Sequence, residues 1–151
     1  MVCRRYLHLM KPRIALVVVL LSIGVQAQSA KTIDSKYLME PTNLVGILLQ
    51  KPIILNIGPR SIYDQAHVPG AEYVGMTSQP EGIKALRERA KKLPKDKLIV
   101  LYCGCCPWDV CPNAAPALNE LKAMGFKNVR VVHIAQNFGH DWVSMGFPVA
   151  K

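Results

Sequence analysis

The sequence predicts an α/β fold built on a mostly parallel sheet. Ile53–Ile57, Lys97–Tyr102 and Val129–Ile134 are short runs of mainly branched apolar residues, as buried strands are. Between the last two lies a stretch with helical spacing, Asn113–Gly125, and before them another, Ser78–Leu93. Strands separated by helices form βαβ units, and sheets of that kind collect ligands beyond the carboxyl ends of their strands.

The elements follow in chain order. Residues 1–27 read as a cleavable export signal. Arg4, Arg5, Lys11 and Arg13 make a basic start, Ile14 to Val25 is an apolar run broken only by Ser22 and Gly24, and Val25-Gln26-Ala27 has the small-x-small pattern of a cleavage site. The run is shorter than the roughly twenty residues that span a bilayer, so the membrane is met only during export. A periplasmic or secreted location is expected. Residues 28–40 read as a polar, extended lead-in to a domain over residues 41–151. Asn43 is expected to cap a short helix through Gln50, with Gly46 as its weak point.

The strand Ile53–Ile57 stops at Gly58-Pro59. Ser61 and Asp64 have capping-box spacing for a helical turn to Ala66. His67-Val68-Pro69-Gly70-Ala71 is turn chemistry, and Tyr73-Val74 a brief strand. Ser78-Gln79-Pro80-Glu81 opens a helix with Ile83, Leu86, Ala90 and Leu93 on its apolar face. Asn113 is the expected cap of the next helix, whose inner stripe is Leu118, Leu121 and Met124, with Gly125 as its stop. A last helical turn is expected around Asp141 to Met145.

Composition narrows the function. The chain has 151 residues, 50% hydrophobic and 19% charged, which fits one packed domain and excludes a disordered or coiled-coil chain. Cutting after Ala27 removes four basic residues and no acids, lowering the formal charge from +9 to +5. That bias is too diffuse to imply nucleic acid.

Cysteine is the informative residue. Cys3 leaves with the signal, while Cys103, Cys105, Cys106 and Cys111 lie within nine residues of one another. Such a cluster cannot staple distant parts of a domain, so it is chemistry, metal or a local staple. It also leaves the carboxyl end of the strongest strand and runs into a helix start. Unpaired N–H groups and the positive helix end there favour thiolate over thiol. Cys103 is the best-placed nucleophile. Gly104, Cys105, Trp108 and Asp109 complete the expected binding loop, with Trp108 read mainly as a plug. His67, His133 and His140 read as structural or solvated.

These residues resemble a single rhodanese (sulfurtransferase) domain. Cys103 follows the Leu98–Tyr102 strand, and Tyr63 through Ala71 is similar to the family's "Tyr…Gly-His-Ile-Pro-Gly-Ala" segment. Ile54-Leu55-Asn56-Ile57-Gly58 stands in the place of its first-strand motif. Met124-Gly125-Phe126 before Val129–Val132, and Trp142 with Gly146-Phe147-Pro148, match its later elements. The resemblance runs from about Pro41 to Lys151. It implies an α/β sandwich around a five-stranded, mostly parallel sheet flanked by helices. It also implies a persulfide on Cys103, a small sulfur-containing substrate or thiol acceptor, and no cofactor.

The departures are specific. The family's active loop runs from cysteine through five residues to arginine. That position here is Asp109, and no Lys or Arg occurs from Cys103 to Glu120. A carboxylate in place of a guanidinium disfavours a doubly charged donor such as thiosulfate. Asn56 and Gly58 replace the family's usual Asp and Arg. The additional thiols leave two alternatives open. One is thiol–disulfide exchange between Cys103 and Cys106 or Cys111, served by a redox partner protein. The other is a non-catalytic module that binds a metal or a partner through a loop stapled by a Cys106–Cys111 disulfide, although two separated Cys-x-x-Cys knuckles are lacking and no metal is assigned.

Overall fold

The computed structural model describes residues 33–151; the segment expected to be an export signal, residues 1–27, lies outside the described residues. Five strands form one sheet: β1 (Leu38–Met39), β2 (Ile53–Asn56), β3 (Ala71–Tyr73), β4 (Ile99–Tyr102) and β5 (Val129–Val132). Their order is β1-β5-β4-β2-β3, and every pairing is parallel. Four helices join them: α1 (Pro41–Ile47), α2 (Arg60–Gln65), α3 (Pro80–Ala90) and α4 (Ala114–Ala123). The expected α/β sandwich on a parallel five-stranded sheet is the one observed.

β4 is the middle strand, and all four of its residues are buried. Side chains alternate across a strand, so β4 and its extension feed two cores. Ile99, Leu101 and Cys103 point to the side holding Leu86 of α3 and Leu118 and Leu121 of α4. Val100 and Tyr102 point to the other side, with Leu44 of α1, Phe138 and the fully buried Trp142. The indole Nε1–H of Trp142 donates to the Pro148 carbonyl at 2.8 Å, satisfying its one polar atom. The alternation thus delivers Cys103 beside α4 at the carboxyl end of the central strand.

Several expectations are corrected. The lead-in contains β1, which pairs Leu38 with Val131 and Met39 with Val132, and Ile33 before it is buried. The folded unit therefore begins before residue 41. Asn43 does not cap α1: the helix starts at Pro41 and tightens to a 3-10 turn at Leu48–Gln50. The Ser61/Asp64 box does not form, because Asp64 pairs instead with the Arg60 guanidinium at 2.8 Å. α3 starts one residue after Gln79 with no side-chain cap. The final helical turn is a π turn over Gly139–Val143.

Candidate active site

The loop from Cys103 to Pro112 leaves β4 and enters α4. Gly104 takes a left-handed backbone, φ +83°, and a Cβ there would meet the Phe138 Cβ at 3.0 Å. Only glycine turns the chain there without a steric cost. The Gly104 carbonyl accepts the Phe138 N–H at 2.9 Å, and the Trp108 N–H donates to the Ile134 carbonyl at 2.8 Å. These two bonds fasten the loop to the segment that follows β5.

The turn brings all four sulfurs together. Every Sγ of Cys103, Cys105, Cys106 and Cys111 lies within 4.8 Å of the others. Cys103 Sγ is 3.2 Å from Cys105 Sγ, and Cys105 Sγ is 3.1 Å from Cys106 Sγ. All four are free thiols; Cys103 and Cys111 are buried, Cys105 and Cys106 half-buried. A cavity of about 10 Å³, lined by Cys103, Cys106, Cys111, Val131 and Ile134 among others, holds about one water molecule.

Asn113 is the residue that sequence reasoning misread. Its amide does not cap α4. Oδ1 accepts the Ser78 N–H at 2.9 Å, and Nδ2 donates to Cys103 Sγ at 3.3 Å. Its carbonyl accepts the Thr77 hydroxyl at 2.6 Å. A 2% exposed side chain therefore ties the approach to α3 to the sulfur at the end of β4. The approach of Gly58 to Cys103 is the other feature missed. A Cβ there would lie 2.2 Å from the Cys103 carbonyl oxygen and 3.2 Å from its Sγ. The Gly58 N–H itself donates to Asn56 Oδ1 at 3.1 Å.

The helix start acts on a different sulfur from the one expected. Cys111 is held down to about 6, first by accepting the Cys103 S–H and then by the N–H groups of Asn113 and Ala114, against the opposing effect of burial. Cys103 is pushed well up, first by donating that same hydrogen bond and then by burial. Burial and the neighbouring thiols push Cys106 up to about 12.

The remaining expected site residues divide cleanly. Trp108 packs on the core as a plug, its ring edge-on to His133 at 5.8 Å. Asp109 is exposed and does not line the cavity. Cys106 touches Cys105 rather than Cys103. The ring of His67 stacks on Tyr63 at 4.0 Å, and its main chain pairs with Ala150. Its role is structural, as expected. His133 and His140 pair with Glu40 and Asp141, each at 2.8 Å.

Comparison with known proteins agrees with the fold. Solved structures of similar fold include the Alr3790 protein from Anabaena sp., 20% identical, covering 74% of this chain and 90% of that one with a TM-score of 0.57. A rhodanese-related protein from Thermoplasma volcanium is 19% identical, covering 74% and 95% with a TM-score of 0.54. EanB, in a cysteine-persulfide state with ergothioneine, is 22% identical, covering 75% of this chain and 27% of its own, with a TM-score of 0.56. No curated protein matches the chain. The model of the rhodanese-like domain matches residues 40–133, well over half the chain, and the protein belongs to the rhodanese-like domain family.

Proposed function

We propose that the protein moves sulfane sulfur through a persulfide on Cys103 and resolves it within its own loop. The carrying observation is the 3.2 Å contact between Cys103 at the end of β4 and Cys105. Cys103 passes its proton to a neighbouring thiol sulfur of the cluster, whose members all lie within 4.8 Å of one another. Its sulfur attacks the terminal sulfur of a hydropersulfide, R–S–SH. A new S–S bond forms, the donor S–S bond breaks, and R–S⁻ leaves.

Two outcomes are open to the persulfide. A thiol acceptor can take the outer sulfur, which restores Cys103. Alternatively, Cys105 attacks the inner sulfur, giving a Cys103–Cys105 disulfide and hydrogen sulfide. In that case the sulfane sulfur is reduced, the two cysteines are oxidised, and a dithiol partner must reset them. Cys105 replaces Cys106 as the resolving thiol because its sulfur is the one against Cys103. The absence of Lys and Arg through Glu120 favours persulfides and polysulfides over thiosulfate. With export after Ala27, the work is periplasmic or extracellular.

The test is mass mapping of the Cys103–Cys111 peptide under non-reducing conditions. The reduced protein is treated with polysulfide or thiosulfate, with Cys103→Ser as the control. One added sulfur on Cys103 from polysulfide, or a Cys103–Cys105 disulfide with hydrogen sulfide release, is the expected result. The absence of both refutes the reading.

A further inference from the structure

We propose that the four loop thiols form a closed binding site for one zinc ion. A zinc–sulfur bond of about 2.3 Å places the four sulfurs of a tetrahedral site about 3.8 Å apart. The contacts of 3.1 and 3.2 Å, and the 4.8 Å limit on the remainder, straddle that edge length. Modest side-chain rotation then suffices to close the shell. Four sulfurs and no nitrogen or oxygen ligand suit zinc or cuprous ion rather than a hard cation, and a full set of four selects tetrahedral zinc.

Packing alone does not account for the cluster. A cysteine used as a small apolar residue gains nothing from having three other thiols beside it. Two of the four are only half-buried, and the sulfurs converge instead of facing separate parts of the core. The surroundings fit an anionic centre. Four thiolates around zinc leave excess negative charge, opposite the Asn113 amide, whose Nδ2 donates to Cys103 Sγ at 3.3 Å. Val131 and Ile134 form an apolar wall on the cavity side. The half-buried Cys105 and Cys106 leave the way in for the ion.

Each thiol that binds releases its proton to solvent, and no electron moves. All four positions are then filled by protein, which makes this a structural or sensing site without a place for substrate water. Zinc also withdraws Cys103 from sulfur chemistry. The binding itself does not depend on the sulfur-transfer reading.

The reduced full-length protein is titrated anaerobically with zinc against a chromophoric chelator, and in parallel with cobalt and with cuprous ion. One zinc per chain is expected, together with the intense visible bands of tetrahedral cobalt and near-ultraviolet thiolate-to-cobalt charge transfer. Cys106→Ser removes a half-buried ligand and spares the core, and should weaken zinc by roughly 100-fold with unchanged circular dichroism of the metal-free protein. The proposal is overturned by substoichiometric zinc, by octahedral cobalt spectra, by unchanged affinity in Cys106→Ser, or by binding of cuprous ion without zinc. Stoichiometry and spectrum decide this question whether or not Cys103 accepts sulfur.

Discussion

Two places on the carboxyl-end side of the sheet look like sites, and they differ in kind. Beside β1 and β5 lies a groove of about 230 Å³, with Glu40, His133, His140 and Asp141 on its walls. It has the volume and the histidines of an active site. Yet each histidine is held by a neighbouring carboxylate, so each ring already has a partner. The cysteine loop has room for about one water, but its thiols are partnered chiefly by one another. A weak S–H donor beside another sulfur gives up little when it leaves to attack or to ligate. On the proposed reading, reactivity follows the groups whose bonding is easily exchanged, and cavity size is a poor guide to it.

The comparison breaks first on the nucleophile. Cys103→Ser should abolish sulfur loading, while His133→Ala and His140→Ala leave it within twofold or so of the parent, as expected for groups outside the chemistry. Mass mapping and sulfide release read both. Loading retained in Cys103→Ser, or lost in a histidine variant, would move the chemistry to the groove.

The next largest effects come from the two glycines that shape the loop. Gly58→Ala puts a methyl group into the Cys103 carbonyl, and the backbone must shift to admit it. Overpacking of this kind costs about 1–3 kcal/mol. Gly104→Ala adds a Cβ at φ +83° and 3.0 Å from Phe138, for a cost of about 1–2 kcal/mol before any clash. Both variants should lower the denaturation midpoint and slow sulfur loading together. The same substitution at Gly46, where a Cβ meets nothing, should instead be neutral or stabilising in its helix.

Asn113 separates stability from chemistry. Asn113→Ala leaves the Ser78 N–H without its acceptor and removes the buried donor to Cys103, at about 1–3 kcal/mol. Asn113→Asp keeps the acceptor and replaces the donor with a carboxylate oxygen near the sulfur. It should recover much of the denaturation midpoint while slowing sulfur loading, because negative charge beside Cys103 opposes its thiolate. Equal loading rates in the two variants would reduce Asn113 to a purely structural residue.

What the sequence disclosed follows from how local each signal is. β4 announced itself because its residues and the turn after it are contiguous, and that alone placed Cys103 at a strand end. β1 did not: two residues carry no periodicity, and its identity comes from pairing with Val131 and Val132 more than ninety positions away. Asn113 was legible as a residue that belongs at a helix start. Nothing local says that its amide crosses to Ser78 and Cys103 instead. The helix start was legible as a place that favours thiolate, but the register of the loop, which sets the N–H groups of Asn113 and Ala114 toward Cys111, was not. Gly58 was legible as a strand stop, but not as a residue packed on Cys103, since that reason is the backbone of a residue forty-five positions on.

The smallest effect sharpens the contrast from the groove side. Glu40→Gln removes the carboxylate that holds His133, in a pair whose side chains are 33% and 57% exposed. Exposed pairs of this kind contribute about 0–1 kcal/mol, because solvent screens the attraction and the side chains lose freedom in making it. The denaturation midpoint should therefore move only slightly, and less again at high salt. Sulfur loading should be unchanged, although Trp108, edge-on to His133, leads straight back to the cysteine loop. The loop is fastened there by the Trp108 N–H to Ile134, a backbone bond that Glu40 does not touch. If Glu40→Gln slowed loading without a matching loss of stability, the His133–Trp108 contact would be a working link between the two regions.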